Sequence, residues 1–119
     1  MFTFKYTKTR DNGDATSNYN LSGPFPMPFK DFVTTILNQE DSFRVQFWES
    51  KNWVNTDLEC YKKDDGKWYI TKEEPENWFK ENANRNVIKS WANGGWGQMT
   101  YFITFEEAND NEIQTTTND

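Results

Sequence analysis

The spacing of apolar side chains along this chain changes period several times, and each change marks an element. Phe2, Phe4 and Tyr6 alternate with Thr3, Lys5 and Thr7, which predicts a half-buried strand. Arg10 to Gly23 is rich in Asn, Asp, Ser and Gly and reads as a long loop, about 9–23. Pro24-Phe25-Pro26-Met27-Pro28 excludes a helix interior, whereas Pro28 suits a first helical turn. Phe29, Phe32, Val33, Ile36 and Leu37 then repeat at helical spacing, predicting a helix over 28–39.

Period two returns with Phe43, Val45 and Phe47 set against Arg44, Gln46 and Trp48. Lys51-Asn52-Trp53 reads as a turn. Next comes a strand with Leu58 and Cys60 on one side and Glu59 and Tyr61 on the other. Lys63-Asp64-Asp65-Gly66 is a hairpin signal, because Asp-Gly tolerates positive φ. It leads into a strand with Trp68 and Ile70 inward and Tyr69 outward. Pro75 after Glu73-Glu74 predicts a helix start, with acids at the positive end of the helix dipole. Asn84-Arg85-Asn86 are mediocre helix formers and Val87-Ile88 are β-branched, which favours a short helix (75–84) and a strand (86–92) over one long helix. Asn93-Gly94-Gly95 offers a hairpin loop, and residues 98–106 alternate Met99, Tyr101, Ile103 and Phe105 against Thr100, Phe102 and Thr104.

These elements predict an α+β domain over 1–106, a mostly antiparallel sheet of about six strands (β-α-β-β-β-α-β-β) with two helices packed on one face. Residues 107–119 read as an acidic, flexible C-terminal tail. The predicted aromatic core is Phe2, Phe4, Tyr6, Phe29, Phe32, Phe43, Phe47, Trp68, Trp78, Phe79, Tyr101 and Phe105. The run α-β-β-β-α is similar in element order to double-stranded RNA-binding domains. The basic residues that such domains carry at their second helix are replaced by Glu73-Glu74-Pro75-Glu76.

Composition narrows the chemistry. Ten Phe, six Trp and five Tyr stand beside no His at all. Rings supply buried area and contact surface, while the usual general base and commonest transition-metal ligand is missing. Net charge is −6, concentrated in the middle and the tail, and no Lys/Arg cluster exists to neutralise phosphates. Direct nucleic-acid binding is therefore not expected. One cysteine, Cys60, forbids an intrachain disulfide and a Cys-rich zinc site. No segment has the pattern of a signal peptide or a membrane span, and a cytoplasmic location is the expectation.

The acidic pairs have structural explanations in turns, a helix start and a strand end. Asp11-Asn12-Gly13-Asp14 lacks the further ligands of a calcium loop. Gly94-Gly95-Trp96-Gly97 precedes a strand, so a hairpin or bulge suits it better than a phosphate loop. Cys60 reads as a small buried thiol. No catalytic residue, metal or cofactor is expected, and the chain is read as a non-enzyme.

The rings left over carry the functional reading. Trp53 and Trp96 fall at loop tips, and Trp48, Tyr61, Tyr69 and Phe102 on the outer sheet face among Asp57 and Glu59. A sheet face without helices should be polar, and interface hot spots favour Trp, Tyr and Arg. The reading is a protein-binding domain whose rings dock a partner protein, with Asp57, Glu59, Asp64 and Asp65 complementing its basic surface. One form is a small phage- or mobile-element-type inhibitor covering the nucleic-acid surface of an enzyme. A homodimer through the same face is the bland version. The alternative is a sugar- or nucleotide-binding domain using Trp and Tyr as stacking platforms.

Overall fold

The computed structural model describes residues 3–11, 16–50, 57–70 and 72–107. Among these, the order is β1 (Lys5–Asp11), β2 (Ser17–Ser22), β3 (Met27–Pro28), α1 (Phe29–Gln39), β4 (Arg44–Glu49), β5 (Asp57–Lys62), β6 (Trp68–Ile70), α2 (Glu73–Asn82), β7 (Asn86–Gly95) and β8 (Gln98–Phe105). The strands form one sheet, β1-β2-β7-β8-β4-β5-β6, with the short β3 paired to β7 beyond the end of β2. Every pairing is antiparallel except β4 with β8, whose parallel contact joins two antiparallel halves. No helix among the described residues is long and apolar enough to cross a membrane.

Alternation explains the layers. Val45 and Phe47, Leu58 and Cys60, and Tyr101, Ile103 and Phe105 turn to one side of the sheet, where they are buried. Helix α1 closes that side with Phe29, Phe32, Val33 and Ile36. Pro28 at its start gives no side-chain cap. Two of the N–H groups that a helix start leaves unpaired instead donate to backbone carbonyls: Phe29 to Arg85 at 2.8 Å and Lys30 to Ala83 at 2.9 Å. The link between α2 and β7 therefore caps α1. Helix α2 has acids in its first turn and Lys80 in its last, as its dipole favours. It holds no fully buried residue and packs on the core through half-buried Trp78 and Phe79, whose rings each lie 5.5 Å from that of Phe29.

Five expectations need correction. The polar stretch of 9–23 is not one long loop, because β1 runs on to Asp11 and Ser17–Ser22 is a strand. Together with β3 this raises the strand number from six to eight. The two helices are unequal, since α1 belongs to the core and α2 only leans on it. Phe43 is not core; it stands 49% exposed at the rim. The hairpin turn is not Asn93-Gly94-Gly95 but Trp96-Gly97, where φ is 57° and 77°, as a two-residue turn matched to strand twist requires. Asn93 to Gly95 continue β7. Gly94 serves close approach there: a Cβ would lie 2.4 Å from the Gln98 carbonyl oxygen.

The short helix and following strand preferred over one long helix are present, as Glu73–Asn82 and Asn86–Gly95. The 63–66 turn is also present, with Gly66 at φ 79° and Lys63 N–H accepted by the Lys67 carbonyl at 3.0 Å. Phe2 and residues 108–119 lie outside the described residues.

Candidate functional site

The side of the sheet opposite the helices carries a row of rings. Trp91 on β7 pairs in register with Phe102 on β8, and Phe102 pairs with Trp48 on β4. Trp91 and Phe102 stack at 4.2 Å with an 18° interplanar angle, and Trp48 meets Phe102 edge-on at 6.1 Å. All three are half-buried. Phe102 sits between the other two, stacked on Trp91 and met edge-on by Trp48. They stand on three adjacent strands and together form a platform across the sheet.

A hydrogen-bonded polar band runs beside this platform. Asn93 Nδ2 donates to Asn18 Oδ1 at 2.7 Å, Thr100 Oγ1 to Gln46 Oε1 at 3.2 Å, and Gln46 Nε2 to Glu59 Oε2 at 2.9 Å. Arg44 grips Glu59 through Nε at 2.8 Å and through Nη2, and reaches Gln98 Oε1 through Nη1 at 2.8 Å. Tyr61 OH donates to Glu59 Oε1 at 2.7 Å. Burial alone would raise the Glu59 pKa, but the bonds from Tyr61 and Arg44, with the charges of Arg44 and Lys72, outweigh it and hold the carboxyl below its ordinary range. The same bond to Glu59 is the main reason that the Tyr61 hydroxyl is pushed up. Side chains locked in this way lose little rotamer freedom when a partner covers them.

The residues singled out in the sequence separate into groups. Trp48, Glu59, Tyr61 and Phe102 share this face. Tyr69 pairs with Tyr61 at its edge, donates to Asp65 Oδ2 at 2.8 Å, and has the Lys63 ammonium 4.3 Å from its ring centroid. Asp65 also accepts the Lys67 N–H at 2.8 Å, and that bond, followed by the one from Tyr69, lowers its pKa. Asp64 is exposed in the same turn. Asp57 contributes backbone to β5, but its side chain is not described, and Trp53 lies outside the described residues. Glu59 and Asp65 are thus hubs of local networks rather than outstretched acids. Among the described residues, a further group of exposed acids stands on α2, at Glu73, Glu74, Glu76 and Glu81, on the helix side of the sheet.

Trp96 is 79% exposed and adopts a left-handed backbone, which costs a bulky residue roughly 1–2 kcal/mol. Asn would fit that turn position better. Trp96→Asn is expected to raise stability by roughly 1 kcal/mol, seen as a higher denaturant midpoint; a lower midpoint would show that the indole is held by the fold. The Gly97 beside it allows the Phe43 ring to approach, since a Cβ there would lie 3.1 Å from that ring.

Trp91 was not among the residues singled out from the sequence. Counting by twos from buried Val87 puts it inward, but the pairing of β7 with β8 shifts register between Val87 and Lys89. The extra residue reverses the phase, so Ser90 and Ala92 turn in and Trp91 turns out. The stretch Val87-Ile88-Lys89-Ser90 held the signal, since strict alternation there would bury Lys89.

Cys60 is 1% exposed, and burial, helped by the charge of Glu59, pushes its thiol up to about 12. With so little thiolate it is a poor nucleophile. Iodoacetamide at mildly alkaline pH is expected to leave Cys60 unmodified in the native protein and to modify it on unfolding; rapid native labelling would contradict its place in the core. No family model, curated protein or solved structure matches the chain.

Proposed function

We propose that this chain is a non-enzymatic protein-binding domain of the cytoplasm that docks through the helix-free face of its sheet. The observation that carries the reading is the Trp48–Phe102–Trp91 row, half-buried on a face that an antiparallel sheet normally leaves polar. Large rings bordered by a satisfied polar band have the composition of an interface centre and its rim. Arg44 and Glu59 cancel each other there, so the contact itself is apolar. The overall −6 charge then acts at longer range and favours a basic partner by steering. An inhibitor of a nucleic-acid-acting enzyme is the concrete form of this proposal. The platform geometry favours a protein over the small-ligand alternative, which needs a concave site.

The experiment is capture from nuclease-treated lysate by wild-type chain and by a Trp48→Ala/Trp91→Ala variant, at low and high salt. The expected result is a stoichiometric basic protein, recovered less well at high salt and lost with the variant. Equal recovery by the variant would contradict docking through this face. Sedimentation of the chain alone as a dimer that the variant dissociates would assign the face to self-association and overturn the proposal.

A further inference from the structure

On the helix side of the sheet, at the C-terminal end of α1, Tyr6, Tyr19, Gln39, Glu40, Met99 and Tyr101 line an open cleft of about 280 Å³. We propose that this cleft binds an alkylated ammonium group.

Its walls suit such a cation. The rings of Tyr6 and Tyr19 meet edge-on, at 89° and 6.3 Å between centroids, and both line the cleft. Tyr101, 1% exposed, forms the base, and the Met99 thioether is a soft, polarizable side. Aromatic faces attract cations through the ring quadrupole, most strongly when the cation gives up little hydration.

The electrostatics point the same way. Glu40 accepts bonds from Tyr101 OH, from Ser42 Oγ at 2.9 Å and from Ser42 N–H at 3.4 Å. All three donors are neutral, and a carboxylate has about four acceptor sites, so charge and one lone pair remain available. Tyr6 OH lies 3.4 Å from Tyr101 OH and extends the chain of bonds. Burial raises both hydroxyls above the ordinary tyrosine range, which keeps them neutral. Glu40 caps the C-terminus of α1, and the last turn of α1 holds no basic residue, so the negative end of the helix dipole has no cation beside it in sequence. Lys8, opposite Tyr19 in register, is exposed and does not line the cleft.

The ligand class follows by elimination. A divalent cation is held best by several carboxylates, and this cleft offers one, its other oxygens being the neutral Gln39 amide and tyrosine hydroxyls. A bare ammonium is strongly hydrated, and one charged acceptor offsets little of that hydration. A methylated ammonium sheds water more easily and presents methyl groups to the rings. The cleft lies on the opposite side of the sheet from the docking platform, so the two proposals fail separately.

The test is an NMR titration of the full chain, following the Met99 methyl and the Tyr6 and Tyr19 ring signals. The probes are choline, lysine trimethylated at its side-chain nitrogen, and dimethylbutanol, the neutral carbon isostere of choline. Saturable millimolar shifts are expected with at least one cation, and the cation that binds separates a free small molecule from a modified lysine as the source. The neutral isostere is expected to bind at least about tenfold more weakly. Tyr19→Ala should abolish the shifts, Tyr19→Phe should retain them, and Glu40→Gln should weaken binding about tenfold. Equal binding of the isostere, or no saturation with either cation, would overturn the proposal.

Discussion

Replacing Phe29 with Ala is expected to remove about 3–5 kcal/mol of stability, a large part of the roughly 5–15 kcal/mol that holds a domain together. Phe29 is fully buried, and its ring meets those of Phe105 at 5.2 Å, Trp78 and Phe79 at 5.5 Å, and Phe47 at 6.2 Å. It joins three bodies: its own helix, the sheet and α2. Because α2 contributes no fully buried residue, it depends on this ring more than α1 does. The variant should therefore lose protection of the α2 amides from hydrogen exchange before that of β7 and β8. Phe43→Ala is the control, since Phe43 is 49% exposed and its truncation should cost less than about 1 kcal/mol. Similar denaturant midpoints for the two variants would contradict the place given to Phe29.

Trp91→Ala is expected to weaken partner binding by about 2–4 kcal/mol, or roughly 30-fold to 1,000-fold. The effect on the fold should be smaller. Trp91 is half-buried and loses mainly its stacking on Phe102, and such a pair contributes about 0.5–1.5 kcal/mol beyond its buried area. The separation between the two effects is what distinguishes an interface residue from a core residue. Isothermal titration with the captured partner, beside chemical unfolding of the same variant, measures both. A loss of stability as large as the loss of affinity would return Trp91 to a structural role. Phe102→Ala is less informative, because Phe102 touches both Trp48 and Trp91 and its removal disturbs the whole row.

The elements legible in the sequence were those whose local pattern matched their burial. Phe29, Phe32, Val33 and Ile36 mark one helix face, and the same four are buried. Tyr101, Ile103 and Phe105 mark the inner side of β8 and are buried as well. Strand β2 was hidden because Asn18, Asn20 and Ser22 occupy its helix-free side and only Tyr19 and Leu21 turn to the core. Asn and Ser are common in loops, and sheet pairing overrides that preference here. The turn was misplaced because Asn93-Gly94-Gly95 has hairpin composition, while Gly94 is used for close packing and the positive φ falls on Trp96 and Gly97.

The candidate site was legible in part for the same reason. Trp48 and Phe102 lie on regularly alternating strands and were placed on the outer face, where they are found. Trp91, their third member, follows a bulge that reverses the alternation, and Lys89 is its one trace in the sequence. Glu59 was assigned to the outer face but not to Arg44, because that ion pair depends on the register of β4 with β5. The parallel contact between β4 and β8, which brings Trp48 beside Phe102, joins segments far apart in the chain and leaves no local trace.

Hydroxyl-radical footprinting of the chain, free and with its captured partner, tests the docking face most directly. Protection of Trp48, Trp91 and Phe102, with the exposed side of α2 labelled as in the free chain, is the result expected. Protection confined to α2, with those three rings labelled equally in both states, would contradict the claim that the helix-free sheet face is the binding surface.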